Sequence, residues 1–220
     1  MIQGMLVECQ PHPNYKQRML IVCDEDSWRE IHTTIFGKAP SLPKNCSSLD
    51  EFHQKFQVLE YNQAKLYAIK RLSLQSMPST TLSKALRDRL VSEETTERLI
   101  QEFIQLGYLN DAEWTKSFVR QQSAKKMGPR AIAQKLAFKG LPKEEVEAAL
   151  GVAKNPSQQK ESIVKLLSTR YRQRNLTDYK ERQKVAASLM RRGFDFSIIL
   201  DCLRERGHSM DDMDGTDPLD

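Results

Sequence analysis

The spacing of apolar residues predicts helices over most of the chain. From about residue 61 onward, each strongly patterned segment places its apolar residues three or four positions apart, the spacing that puts them on one helix face. Residues 5–24 differ, because two short apolar runs flank the turn-like "PHPNYK", and this arrangement predicts a small β-hairpin. The chain should therefore join a small β-containing N-terminal part to a helical body.

A helix is predicted directly after the hairpin. Ser27 and Glu30 have the spacing of a capping box, in which two side chains satisfy the free N–H groups at a helix start. One face of this helix would carry Trp28, Ile31 and Ile35, and Gly37 would end the helix. The N-terminal extension should consist of a β-hairpin and this helix.

A second helix start follows a linker. "KAPSLPKNCS" is rich in Pro and Ser, which is typical of a connecting segment. Ser48 and Glu51 then repeat the capping-box spacing, and the helical pattern continues from there toward residue 75.

The helical body contains an internal repeat. "LRDRLVSEETTERLI", "LAFKGLPKEEVEAAL" and "LMRRGFDFSIILDCL" align without a gap. The matched positions are an opening leucine, a turn residue and a closing apolar residue: Leu86, Leu136 and Leu189; Leu90, Gly140 and Gly193; Ile100, Leu150 and Leu203. The offsets of 50 and 53 residues exceed the roughly 34 residues of a two-helix repeat, so each unit has room for three helices.

These repeats define the predicted domains. We expect an extension at 1–57, three three-helix repeats at 58–110, 111–154 and 155–207, and an acidic disordered tail at 208–220. In the second repeat, Gly128 and Pro129 begin the central helix and Gly140 ends it. Gly140 and Gly193, aligned just past a helix end, should both have positive φ.

Charge is distributed unevenly along the chain. Residues 1–60 carry six Lys and Arg against eight Asp and Glu, residues 61–210 carry 28 against 16, and the last ten residues carry five acids and no base. A basic body of this kind indicates a polyanionic partner or an acidic protein surface. The alternative is a solvated helical surface without a partner.

Candidate catalytic and metal-binding residues are weakly supported. Cys9 and His12 form an isolated CxxH, without the second pair that a structural zinc site needs. Asn110 or Asp111 as a helix N-cap, with Glu113 in the first turn, explains these residues better than an acid pair of Asp111 and Glu113 does. "KKMGPRA" has one glycine, too few for a phosphate-cradling loop. We therefore expect neither enzyme activity nor a metal or cofactor.

The cellular location of the protein is predicted from the length of its apolar stretches, its N-terminal sequence and the spacing of its cysteines. The longest of them are too short to cross a bilayer, and the N-terminus lacks the order of a signal peptide. The four cysteines show no CxxC spacing, as expected for free thiols in the cytoplasm. We expect a cytoplasmic protein with no membrane contact.

Basic residues near two of the turns are the candidate binding residues. They surround the central helix of the second repeat and precede the turn of the third: Lys125, Lys126, Arg130, Lys135, Lys139, Arg191 and Arg192. Aromatic residues recur beside the same turns, at Tyr108, Trp114, Phe118, Phe138 and Phe194. Core packing is the expected role of these rings, and base stacking is the alternative.

Two ordered motifs resemble the signatures of one protein family. "LGYLNDAEWTKSFVRQQSAKKMGPRAIAQKLAFKGL" (106–141) is similar to the central signature of the RecX family of regulators of RecA recombinase, and "QKVAASLMRRGFDFSIIL" (183–200) to its C-terminal signature. The resemblance covers about 61–207. It weakens in the first repeat, where "MPSTTLSKAL" lacks the usual Arg-Ser pair, and at Asn110, which replaces one acid.

The resemblance implies a fold and a partner. The fold is all-α, with tandem three-helix repeats that form an elongated curved array. The implied function is to bind the RecA–single-stranded DNA filament and to damp its ATPase, strand exchange and co-protease activities, as a monomer with at most weak non-specific DNA binding of its own. The alternative is an independent DNA-binding repressor, because two helices joined by a short Gly-containing turn also resemble a helix-turn-helix.

Overall fold

Helices dominate the computed structural model, which describes residues 5–151 and 153–211, with side chains through residue 206. The chain forms two compact units, one ending at Asp111 and the other beginning at Ala112. The elements of the first unit are β1 (Val7–Pro11), β2 (Arg18–Cys23), β3 (Asp26–His32), α1 (Thr33–Phe36), α2 (Leu49–Leu74), α3 (Ser79–Arg87) and α4 (Glu93–Gln105). Those that follow are α5 (Asp111–Ala124), α6 (Pro129–Phe138), α7 (Lys143–Leu150), α8 (Pro156–Thr169), α9 (Tyr179–Arg191) and α10 (Phe196–Asp211).

The N-terminal strands form one antiparallel sheet in the order β1-β2-β3. β1 and β2 are the predicted hairpin. Along β2, Met19, Ile21 and Cys23 are buried and alternate with partly exposed residues, as expected for a strand with one face on a core. Asp24 and Glu25 both have positive φ, 47° and 73°. This is the conformation that a two-residue turn between twisted strands requires.

The prediction of a helix from Ser27 to Gly37 is wrong for most of these residues. Residues 26–32 form β3, and only the single turn of α1 before Gly37 is helical. The N-terminal extension is therefore a three-stranded sheet followed by one helical turn.

A β-bulge explains why the pattern resembled a helix. Trp28 lies between Ser27 and Arg29, which both pair with β2, and has no partner of its own across the ladder. Such an extra residue shifts the alternation of side chains by one position. Trp28 and Ile31 thus both pack in the same core, where the centroids of the Trp28 and Phe56 rings are 5.0 Å apart. Their spacing of three imitates the period of a helix.

α2 begins where the second capping pattern predicts. The Ser48 hydroxyl accepts a hydrogen bond from the Glu51 N–H at 3.2 Å. The Glu51 carboxylate reaches back to the N–H of Ser47 at 2.8 Å rather than to Ser48. A hydrogen bond from Lys55 and two from Ser47 lower the pKa of Glu51 to about 2. The boundary predicted between residues 57 and 58 lies inside α2, which runs on without interruption to Leu74.

The three aligned turns have the same backbone conformation. Their turn residues have positive φ: 61° at Leu90, 80° at Gly140 and 87° at Gly193. In each turn the next N–H donates to the carbonyl of the aligned leucine: Val91 to Leu86 (3.2 Å), Leu141 to Leu136 (3.4 Å) and Phe194 to Leu189 (3.4 Å). This is the bond that closes a helix end with a left-handed residue. It confirms the gapless alignment and the positive φ predicted for the two glycines.

Each of the last two repeats encloses a separate core. The core among α5, α6 and α7 is formed by Val119, Ile132, Leu136, Leu141, Val146 and Leu150. The core among α8, α9 and α10 includes Ile163, Leu167, Val185, Leu189, Ile199 and Leu203. The structure is thus mostly helical and consists of three-helix repeats. Of the predicted acidic tail, residues 208–211 belong to α10, and 212–220 lie outside the described residues.

Candidate binding interface

The Gly-Pro motif of the second repeat contacts the third repeat directly. The N–H of Gly128 donates to the carbonyl of Arg192 at 2.8 Å, and the N–H of Arg130 donates to the carbonyl of Gly193 at 3.1 Å. α6 has no side-chain cap, because its first flanking residue is Gly128. The carbonyl groups at the end of α9 therefore satisfy N–H groups that would otherwise be free at the start of α6. The positive end of one helix dipole also meets the negative end of the other.

Two glycines allow the backbones to come this close. A Cβ on Gly128 would lie 2.3 Å from the carbonyl carbon of Gly193, and a Cβ on Gly193 would lie 2.2 Å from the nitrogen of Ala131. No side chain larger than hydrogen fits at either position without separating the two segments. We call this contact the glycine joint, formed by residues 126–131 and 192–195.

Three of the candidate basic residues lie in the glycine joint. The Arg130 guanidinium pairs with Asp195 at 2.9 Å. The Arg192 side chain donates to the carbonyl of Lys126 at 3.3 Å, and Lys126 itself has a left-handed backbone with φ 57°. Arg130, Lys126 and Arg192 thus contribute to the contact between the repeats.

The other four candidates lie outside the joint. Lys125, Lys135 and Arg191 are exposed. The Lys135 ammonium donates to the Gln122 side-chain oxygen at 3.2 Å. The Lys139 ammonium lies 5.4 Å from the centroid of the Trp114 ring. The seven predicted residues therefore do not form one group: three lie in the joint, Lys125, Lys135 and Lys139 lie along or beside α5 and α6, and Arg191 ends α9.

The aromatic residues have divided roles. Trp114 and Phe118 stack with ring centroids 5.0 Å apart and are partly buried against the core of the second repeat. Phe194 is buried, as core packing predicts. Phe138 is 94% exposed, although it lies at the end of α6 between two lysines. Core packing does not account for Phe138, so this ring is available to a partner.

Two buried polar side chains link helices within repeats. The Glu60 carboxylate of α2 is fully buried, pairs with Arg29 of β3 at 2.5 Å and accepts from the N–H of Ser92 at 3.2 Å. Gln159 of α8 is also buried, and its side-chain oxygen accepts from the N–H of Asp195 at 3.1 Å. In both repeats, a buried side chain of the first helix thus accepts from the N–H of the residue that precedes the third helix, Ser92 before α4 and Asp195 before α10. The periodicity of the sequence gives no sign of these contacts.

The candidate metal and acid residues have unrelated surroundings. The Cys9 thiol lies 4.0 Å from the Met19 sulfur, and burial raises its pKa. His12 lies 3.4 Å from Glu30. Asp111 accepts from the Ser79 N–H at 2.7 Å and thereby helps to fix the start of α3. Across the described part of the chain, no three His, Cys, Asp or Glu side chains are grouped to hold a metal ion.

A second basic surface was not among the candidates chosen from the sequence, because it lies between the two family-like motifs. Residues 170–184, from the α8–α9 connection into α9, carry six Lys and Arg against two acids. A running charge count would have found it.

The fold and these surfaces define a helical-repeat protein with exposed basic residues on its helices and turns. The second and third repeats match family models described as the second three-helix domain of RecX, over residues 110–150, and the third three-helix domain of RecX, over residues 158–203. Neither model describes a catalytic domain. No described helix is long and apolar enough to cross a membrane.

Several proteins named regulatory protein RecX are similar over most of the chain. The protein from Bacillus cytotoxicus is 28% identical over 70% of this chain, which spans only 57% of that protein's length. The protein from Neisseria meningitidis serogroup B is 28% identical, over 64% of this chain and 87% of that protein. The protein from Streptomyces coelicolor is 25% identical, over 65% of this chain and 77% of that protein.

Two solved structures have a similar fold. RecX from Lactobacillus salivarius aligns with a TM-score of 0.58 and 26% identity, over 66% of this chain and 96% of that one. Another regulatory protein RecX aligns with a TM-score of 0.58 over 88% of this chain and 96% of that one, and its 21% identity supports the fold alone. The chain belongs to the RecX family of regulatory proteins.

Proposed function

We propose that this protein binds the RecA–single-stranded DNA filament in the cytoplasm and damps RecA's ATPase, strand exchange and co-protease activities without catalysing a reaction itself. The observation that carries the proposal is the ordered match of two consecutive RecX domains, at residues 110–150 and 158–203. The protein would act as a monomer, and recombinational repair and the SOS response would be the processes it regulates.

The exposed lysines of the second repeat support this proposal. Lys125 and Lys135 are exposed, and within the described residues neither pairs with a carboxylate. A filament offers both DNA phosphates and protein surface, and either could meet these charges. Phe138 adds a large exposed ring between Lys135 and Lys139, and buried aromatic anchors supply much of the binding energy in protein interfaces.

The charges at the helix starts weigh against an independent repressor. A helix-turn-helix places the N-terminal residues of its second helix against base edges in the major groove. In the first two repeats the corresponding helices open with acidic pairs, Glu93 and Glu94 in α4 and Glu144 and Glu145 in α7. Carboxylates at that position would be repelled by the phosphates on both sides of the groove.

The test measures RecA's DNA-dependent ATPase in the presence of a double charge reversal, Lys125→Glu with Lys135→Glu. Arg130 and Arg192 are left intact, because their replacement would disturb the glycine joint. We expect the concentration for half-maximal inhibition to rise roughly tenfold or more, since like charges then meet at the interface. Thermal stability should change little, because both side chains are exposed.

The matched control is Lys38→Glu with Lys44→Glu, which changes the net charge equally at two exposed positions of the first unit. This control should inhibit as the parent does. A parent protein that leaves RecA's ATPase unchanged would contradict the proposed function. Equal loss in both double variants would assign the effect to net charge and would contradict the proposed surface.

A further inference from the structure

The connection between α8 and α9 has a fixed conformation. Tyr171 and Leu176 are buried in the core of the third repeat, with 8% and 1% of their surfaces exposed. The Tyr171 hydroxyl is hydrogen-bonded to the Ser188 hydroxyl of α9 at 2.8 Å. The Asn175 side chain accepts from the N–H of Thr177 at 3.0 Å and closes a local turn. Both ends of residues 170–178, the arginine loop, are therefore anchored to the repeat.

Anchoring of the loop turns its arginines outward. Arg170, Arg172 and Arg174 alternate with other residues around buried Tyr171, and all three are exposed. Arg174 pairs with Glu181 at 2.8 Å. Over the part of the chain that the structure describes, Arg170 and Arg172 have no carboxylate partner. Two guanidinium groups are thus free to bind an external anion.

The two acids near the loop are already engaged. Glu181 accepts from Lys184 at 2.8 Å as well as from Arg174, and these hydrogen bonds lower its pKa. Asp178 caps α9 by accepting from the N–H of Lys180 at 3.0 Å. Neither carboxylate neutralises Arg170 or Arg172, so the surface keeps its positive charge.

An exposed aromatic ring directly follows the loop in the chain. Tyr179, the first residue of α9, is 62% exposed. Its hydroxyl accepts from the Gln183 amide at 2.7 Å, and the Arg182 guanidinium lies 5.9 Å from its ring centroid. These contacts orient the ring while much of its surface stays open to solvent.

We propose that the arginine loop and Tyr179 bind single-stranded nucleic acid directly, with Arg170 and Arg172 on phosphates and the Tyr179 ring stacked on an unpaired base. Cationic side chains beside an exposed ring are the combination that single-strand binders use, because every base has a face to stack. The ring distinguishes this ligand from an acidic protein surface or a duplex, whose bases are stacked on one another. The inference deepens the proposed function by giving the DNA within a filament its own site, and it is tested without RecA.

The experiment measures fluorescence anisotropy of a labelled 20-nucleotide oligo(dT) with full-length protein and no RecA, over a series of NaCl concentrations. Arg170→Gln with Arg172→Gln should weaken binding and flatten the slope of log Kd against log salt by about 1.4, at about 0.7 per lost phosphate contact. Tyr179→Ala should weaken binding by roughly 5- to 150-fold, the range measured for the loss of one stacked base, and should leave the slope unchanged. Tyr179→Phe should bind as the parent does.

Lys38→Gln with Lys44→Gln removes the same charge from the first unit and should leave binding and slope unchanged. Parent-like binding by the double arginine variant, or equal loss in the lysine control, would overturn the inference. An unlabelled duplex that competes as well as the single strand would overturn the stacking role of Tyr179. A parent that binds oligo(dT) through this loop and leaves RecA's ATPase unchanged would refute the proposed function alone.

Discussion

Replacing Gly128 with Ala should separate the second and third repeats at the glycine joint. Gly128 has φ −78° and ψ 161°, values that Ala adopts without strain. The added Cβ would nevertheless lie 2.3–2.4 Å from three backbone atoms of Gly193 and Phe194. Ordinary contact needs about 3.4 Å or more, so the two segments must move apart by about 1 Å.

The expected cost follows from the hydrogen bonds of the joint. A separation of this size breaks the 2.8 Å and 3.1 Å bonds from the N–H groups of Gly128 and Arg130. Two such bonds at about 1–1.5 kcal/mol each give about 2–3 kcal/mol, and more if the groups stay buried without partners. The lower unfolded-state entropy of Ala returns only about 0.4–1 kcal/mol. The net destabilisation should be about 1–2.5 kcal/mol, and more if those groups stay buried without partners.

Urea unfolding followed by tryptophan fluorescence measures this loss. The chain has two tryptophans, Trp28 in the first unit and Trp114 in the second. A Trp28→Phe background therefore makes the signal specific to the second unit. In that background, Gly193→Ala should lower the unfolding free energy more than Gly128→Ala does. The φ of 87° at Gly193 adds about 1–2 kcal/mol of backbone strain to the same clash.

Gly107→Ala is the control for backbone strain alone. Gly107 has φ 76°, and no atom lies within 4 Å of the position its Cβ would take. Its loss of unfolding free energy, read from Trp28 in a Trp114→Phe background, should be about 1 kcal/mol. A Gly128→Ala protein whose unfolding free energy lies within about 0.5 kcal/mol of its parent would refute the tight joint.

Three further outcomes follow from other contacts. Arg29→Met leaves the buried Glu60 carboxylate without its partner and should destabilise the first unit by about 3–5 kcal/mol in urea unfolding, with partial recovery on adding Glu60→Gln; no recovery would contradict the pairing. Burial, Arg89 and Arg18 lower the pKa of His32, so the unfolded chain binds the proton more readily and stability should fall as pH drops below about 6.5. His32→Asn should show a smaller decrease between pH 8 and 5.5, and identical pH profiles would exclude His32 as a cause. Phe138→Ala should leave the melting temperature unchanged, because the ring is 94% exposed, while weakening inhibition of RecA's ATPase; unchanged inhibition would show that the ring is only solvated.

Local patterns made the helical repeats predictable. Each turn residue, Leu90, Gly140 or Gly193, is followed by a helix-closing hydrogen bond that depends on a few neighbouring positions, so alignment alone locates it. The same pattern analysis did not predict β3, because the extra residue at Trp28 changes the alternation of a strand into the spacing of a helix. Pattern analysis assumes one period per element, and a bulge violates that assumption.

Contacts between residues far apart in the chain could not be predicted from local sequence patterns. Gly128 could be predicted as a helix start, but its bond to Arg192 joins residues in different repeats, and no local pattern encodes it. The same limit applies to the basic residues. Arg130 and Lys135 have the same charge in the sequence and are both exposed, yet Arg130 pairs with Asp195 in the joint, whereas Lys135 donates to the neutral Gln122 side chain. Composition gives the charge of a region, and only the structure shows which charges are already paired.

The glycine joint also has a consequence for folding during synthesis. The carbonyl of Arg192 that caps the start of α6 is made 64 positions after Gly128. At the usual elongation rates of about 5–20 residues per second, this gap lasts roughly 3–13 s. Helices and their cores form in far less time than that. The second repeat must therefore emerge from the ribosome with the start of its central helix uncapped, and it completes its hydrogen bonding only when the third repeat arrives.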